Sequence, residues 1–91
     1  MKKYRVYVSG QVQGVGFRFT TLRLAQEMRD IYGHVENLDD GRVYIEVMGE
    51  ERRVEYFIEN LNNYASFMAR IDQIEIIEDD SIEMKDSFKV R

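Results

Sequence analysis

An alternating run, Tyr4-Arg5-Val6-Tyr7-Val8, leads into eight residues that carry three glycines, Ser9 to Gly16, and then into an amphipathic stripe that begins near Arg18. Alternation of β-branched and aromatic residues predicts a strand, and the spacing of Leu22, Ala25 and Met28, with Leu24 and Ile31 beside them, predicts a helix. The join between the two constrains the fold more than any other feature. A strand that feeds a helix sends the next strand back parallel to itself through a right-handed crossover. The loop at the join therefore sits at one end of a sheet, against a helix N-terminus.

Gly33 ends the helical segment, His34 to Asn37 predicts a second strand, and Asp39-Asp40-Gly41 is a hairpin turn signal. Val43, Ile45 and Val47 alternate with Tyr44, Glu46 and Met48 as a third strand. A second helix after Gly49 is expected to bury Val54, Phe57, Ile58 and Leu61, with Tyr64 at the margin. Ile71 to Ile76 predicts a fourth strand, Glu78-Asp79-Asp80 a solvated loop, and Phe88-Lys89-Val90 a short last strand. The order β-α-β-β-α-β predicts an α+β, ferredoxin-like sandwich, an antiparallel sheet with two helices on one face. Ninety-one residues suffice for a single domain, 1–91, with one core. That fold serves many functions and decides none of them.

Composition removes several classes. Cysteine is absent, which leaves no disulfide framework and no thiolate nucleophile. The lone histidine, His34, cannot supply the ligands of a zinc site, so neither metal nor cofactor is expected. No apolar run is long enough to span a bilayer or form a signal-peptide core, and a cytoplasmic protein without membrane contact is expected. A net charge of −4 opposes non-specific binding to nucleic acid, and Tyr7, Tyr44 and the partial Gly16-Phe17 pattern fall short of an RNA-binding signature.

Against that negative average, one local feature favours an anion. The loop Ser9-Gly10-Gln11-Val12-Gln13-Gly14-Val15-Gly16-Phe17-Arg18 ends at a helix N-terminus, where free N–H groups and the helix dipole attract negative charge. Glycines let successive amides turn inward as a nest, and Arg18 adds a permanently charged fork suited to two phosphate oxygens. No Gly-Lys-Ser/Thr follows, and the third glycine of a dinucleotide fingerprint is missing. By itself the loop reads equally as a glycine-rich connection followed by a surface arginine.

Asn37 enters by geometry. About fourteen helical residues descend roughly 20 Å, and about six extended residues climb back. That count brings the chain from Tyr32 to Asn37 at the Arg18 end of the sheet. An asparagine before a turn also commonly bonds its own backbone, and both readings stand at this point.

Val12-Gln13-Gly14-Val15-Gly16-Phe17-Arg18 resembles the phosphate-loop signature of the acylphosphatase family, and Gly33-His34-Val35-Glu36-Asn37 with Gly41 resembles its second signature. The resemblance runs over nearly the whole chain to Phe88-Lys89-Val90-Arg91. It implies hydrolysis of the carboxyl-phosphate bond of a small acyl phosphate to carboxylate and inorganic phosphate, with phosphate as product and inhibitor. Arg18 and Asn37 would be catalytic, and the backbone of Gln13, Gly14, Val15, Gly16, Phe17 and Arg18 would bind phosphate. A monomeric, stand-alone domain is expected; the rival is a regulatory domain that binds the same ligand without turnover. Departures are His34 at a usual aromatic position, Glu36 beside Asn37, and an extra residue in Met28-Arg29-Asp30-Ile31. Strand alternation predicts that Glu36 points away from Asn37, and His34 is expected to act as a packed aromatic.

Overall fold

A computed structural model describes all residues, 1–91. The chain runs β1 (Lys2–Gln11), α1 (Phe17–Met28), β2 (Tyr32–Asn37), β3 (Val43–Gly49), α2 (Glu51–Glu59), α3 (Leu61–Tyr64), β4 (Arg70–Glu78) and β5 (Phe88–Val90). The sheet order is β4-β1-β3-β2-β5. The β1-α1-β2 crossover leaves a gap that β3 fills, antiparallel to both neighbours. The ferredoxin-like sandwich expected from the sequence is present. Its sheet is mixed, because β5 pairs parallel to β2 at the edge.

Alternation sorts the strands into two faces. Val6, Val8, Val35, Val43, Ile45 and Val47 bury one face against Phe17, Leu24 and Ala25 of α1 and Val54, Phe57 and Leu61 of α2 and α3. The Phe57 ring lies 5.7 Å from that of Phe88, so the short last strand joins the same core. Truncating a fully buried phenylalanine such as Phe57 to alanine costs about 3–5 kcal/mol. No helix is long and apolar enough to cross a membrane.

Several local expectations change. β1 continues through Ser9 and Gly10 to Gln11, past a bulge where it pairs with β4, so the loop is shorter than its glycines suggest. α1 stops at Met28 rather than near Gly33. Arg29 and Asp30 then turn the chain with φ of 59° and 34°, conformations more usual for glycine. Arg53 from α2 donates to the Met28 carbonyl and caps that end. Tyr64 lies outside the core and bonds Glu27 through its hydroxyl at 2.8 Å.

The acidic stretch is not simply solvated. Glu78 ends β4, and Asp79 pairs with Arg5 at 2.8 Å. Ser81 and then Arg5 hold the Asp79 carboxyl down at about 2. From there the connection to β5 crosses the helix-free face of the sheet. Ile82 is buried there, and the Lys85 N–H reaches the Met48 sulfur.

Candidate active site

The loop between β1 and α1 is pinned by its own apolar side chains. Val12, Val15 and Phe17 are buried, while Gly14 and Gly16 between them are exposed. Ser66 Oγ donates to the Val15 carbonyl at 2.8 Å and holds the loop from the α3–β4 side. The sequence gives no local cue for that tie, since the two residues lie far apart along the chain.

None of the backbone N–H groups from Gln13 to Arg18 donates to an acceptor within the protein. Gly14 and Gly16 have φ of 75° and 80°, the left-handed region that L side chains avoid, and Gly16 occupies the N-cap of α1. A cavity of about 300 Å³ opens against this segment, lined in part by Gly14, Gly16 and Arg18 and by the apolar Phe19, Leu22 and Val90. Six free donors, a helix N-terminus and one guanidinium together make an arrangement whose chemistry suits an anion.

The Arg18 guanidinium donates through Nη1 to the main-chain oxygen of Arg91 at 2.7 Å. Its remaining N–H groups have no partner within 3.5 Å in the protein and stay available for bidentate contact.

Asn37 reaches the same end of the sheet. Val43 of β3 pairs with Val8 on one side and Asn37 on the other, so Asn37 stands across one strand from the segment that feeds the loop. Its side chain is exposed, shares the helix-facing side with Val35, and makes no hydrogen bond within the chain. The turn is served instead by Asp40, which accepts from the Arg42 N–H at 3.0 Å and from Arg42 Nε at 2.8 Å. The reading of Asn37 as a turn residue is thereby removed. Asn37 does not line the cavity itself.

The Gln13 side chain is committed elsewhere. Its Nε2 donates to the Leu38 carbonyl at 2.7 Å and the Arg42 carbonyl at 2.9 Å, the two ends of the β2–β3 hairpin.

Glu36 points to the opposite face, as alternation predicts, with its carboxylate 3.4 Å from His34 Nε2. His34 is buried, with its ring edge-on to Tyr44 at 5.6 Å and neither nitrogen hydrogen-bonded. Burial, and then the nearby Arg91 charge, lower its pKa below 6.5. On this face Tyr44 is buried and hydrogen-bonded to Arg5 and Glu46, and the Arg42 guanidinium covers the Tyr7 ring at 4.7 Å. Burial, and then the Glu46 contact, raise the Tyr44 hydroxyl pKa. Neither ring is an open platform for stacking a base.

The model of the acylphosphatase family matches residues 4–90. An acylphosphatase of Enterococcus faecalis is 39% identical over 90 residues, 99% of this chain and 98% of its own length. One from Archaeoglobus fulgidus is 57% identical over 53 residues, 58% of each chain. The crystal structure of the Bacillus subtilis acylphosphatase superposes with a TM-score of 0.92 at 36% identity, covering 100% of this chain and 99% of that one. HypF from T. kodakarensis contains a similar domain, with a TM-score of 0.87 at 40% identity, of which this chain spans 12%. Over essentially its whole length, then, the chain belongs to the acylphosphatase family, enzymes that hydrolyse acyl phosphates.

Proposed function

We propose that this activity is carried by the nest at Gln13, Gly14, Val15, Gly16, Phe17 and Arg18 together with Asn37. The observation that carries the reading is the run of six backbone N–H groups without protein acceptors, Gln13 to Arg18, of which Gly14, Gly16, Phe17 and Arg18 line one cavity. The phosphoryl oxygens accept from those amides and from Arg18. The Asn37 carboxamide, free of other bonds, orients a water in line with the scissile P–O bond. The water oxygen bonds to phosphorus as the bond to the acyl oxygen breaks, and the carboxylate leaves with the electron pair. One water proton passes to a phosphoryl oxygen, so the products are a carboxylate and dihydrogen phosphate. A carboxylate is a good leaving group and needs no general acid, and the transition state is loose. Positioning and fixed charge are therefore the catalytic terms.

The test is benzoyl phosphate turnover with and without a chelator, beside p-nitrophenyl phosphate as a monoester. Full activity in chelator, near-zero monoester turnover and competitive inhibition by inorganic phosphate and sulfate are expected. Activity lost in chelator and restored by magnesium would overturn the mechanism. Comparable rates on the monoester would overturn the demand for a good leaving group.

A further inference from the structure

The nest and Asn37 come from segments that are not neighbours in the sheet, since β3 lies between β1 and β2. The β2–β3 ladder ends at the pair Asn37–Val43, and residues 38–42 project beyond it. Past that pair the hairpin is closed by Leu38 N–H to the Arg42 carbonyl at 2.8 Å and Gly41 N–H to the Leu38 carbonyl at 3.2 Å. One side chain from outside grips this closure. Gln13 Nε2 has two hydrogens, and both are spent, one on each end of the hairpin. The same residue opens the nest, directly before Gly14. One residue therefore belongs to both halves of the site.

We infer that Gln13 is a positioning residue that sets Asn37 against the phosphate nest, acting through the backbone of Leu38. The inference rests on the role of Asn37 proposed above. The bond geometry explains why glutamine serves. A shorter side chain in the same place falls short of the two carbonyls, an apolar one offers no donor, and a carboxylate meets them with like partial charge. In-line attack tolerates little displacement, and an error near 1 Å in a positioned group costs on the order of 10²-fold in rate. Without the Gln13 bridge the nest still presents the amides of Gly14 to Arg18, so phosphate binding and water positioning respond differently to its loss.

That difference is the test. Wild type, Gln13→Ala and Gln13→Glu are compared for kcat and KM on benzoyl phosphate, for the Ki of inorganic phosphate, and by thermal unfolding. At neutral pH kcat should fall about 10- to 100-fold in both variants, the scale of a misplaced reactant, while the phosphate Ki rises less than about threefold. Protonation gives the Gln13→Glu carboxyl one O–H donor, so its kcat relative to wild type should recover as pH is lowered toward about 5. A kcat of Gln13→Ala within about threefold of wild type would overturn the inference. So would a Ki that rises in step with the loss of kcat, which would place Gln13 in the nest alone. If the alanine variant does not fold, the isosteric glutamate variant decides by the same split and by its recovery at low pH. Asn37→Ala is run alongside. Turnover retained there refutes the role of Asn37 itself, whereas turnover lost there with Gln13→Ala active refutes only the bridge.

Discussion

Arg18 Nη1 donates a 2.7 Å hydrogen bond to the main-chain oxygen of Arg91. The Arg91 N–H in turn donates to the Val35 carbonyl at 2.8 Å, two residues before Asn37 on β2. The guanidinium is thus held at one corner by the edge of the sheet that also carries Asn37. Replacing Arg18 by lysine keeps the charge but removes the planar fork, and one ammonium cannot hold that corner and grip two phosphate oxygens in the same geometry. kcat/KM should fall on the order of 10²–10³, the scale for one preorganised charge-stabilising group. Thermal unfolding should change little, because Arg18 is outside the core. Near wild-type turnover in Arg18→Lys would place the phosphate site elsewhere.

At Asn37 the expected result is that aspartate is nearly as inactive as alanine. A residue whose task was to take a proton from water would work better as a carboxylate. If it only orients water beside a phosphate, a carboxylate repels the substrate, and bound phosphate raises that carboxylate's own pKa. kcat/KM against pH for both variants, with circular dichroism to confirm folding, separates the roles. An aspartate variant faster than wild type above about pH 6 would make the residue a base.

Gly16→Ala isolates the shape of the nest. A Cβ built at Gly16 meets nothing within 4 Å, so the penalty is conformational rather than steric. Holding alanine at φ of 80° costs roughly 1–2 kcal/mol. That corresponds to a Tm lower by several degrees in a domain of this size. Relaxation toward negative φ turns the following amides, so the phosphate Ki should rise by more than the Tm loss alone would suggest. An unchanged Ki would mean that the Gly16 geometry does not shape the anion site.

His34 should make stability depend on pH. Its folded pKa lies below the 6.5 of the free imidazole, chiefly through burial, so between those values the unfolded chain binds more protons. This contribution is present above pH 6.5 and is lost as pH falls through the lower folded value. Glu36 of β2, Glu46 of β3 and Lys85 and Arg91 face the ring, and the two cations oppose its protonation. His34→Phe keeps an aromatic ring against Tyr44 and removes the titration. Its Tm should fall less than that of wild type between about pH 7.5 and 5, a window that spans the ordinary imidazole pKa. Parallel Tm losses in both proteins would assign the pH dependence to other groups.

The order and type of the elements were legible along the chain, because period-2 and period-3.6 patterns and glycine-rich joins are local properties. The strand Tyr4–Val8, the α1 stripe and the join at Arg18 follow from such patterns. So does the opposite orientation of Glu36 and Asn37, since alternation in a strand is a backbone rule. Counting residues down α1 and up β2 also brought Asn37 to the Arg18 end, even with α1 shorter than expected, because rise per residue is nearly constant. What only the tertiary structure decided are pairings between segments distant in sequence. The parallel seat of β5 beside β2, the pairing of Asp79 with Arg5 and the exclusion of Tyr64 from the core are of this kind. The same holds for the side chain of Gln13. Its place in the motif resembles the family's phosphate-loop signature, but its partners at Leu38 and Arg42 lie 25 and 29 residues away. Local periodicity carries no information about which distant carbonyls a polar side chain will meet; packing the shared core against the sheet determines that.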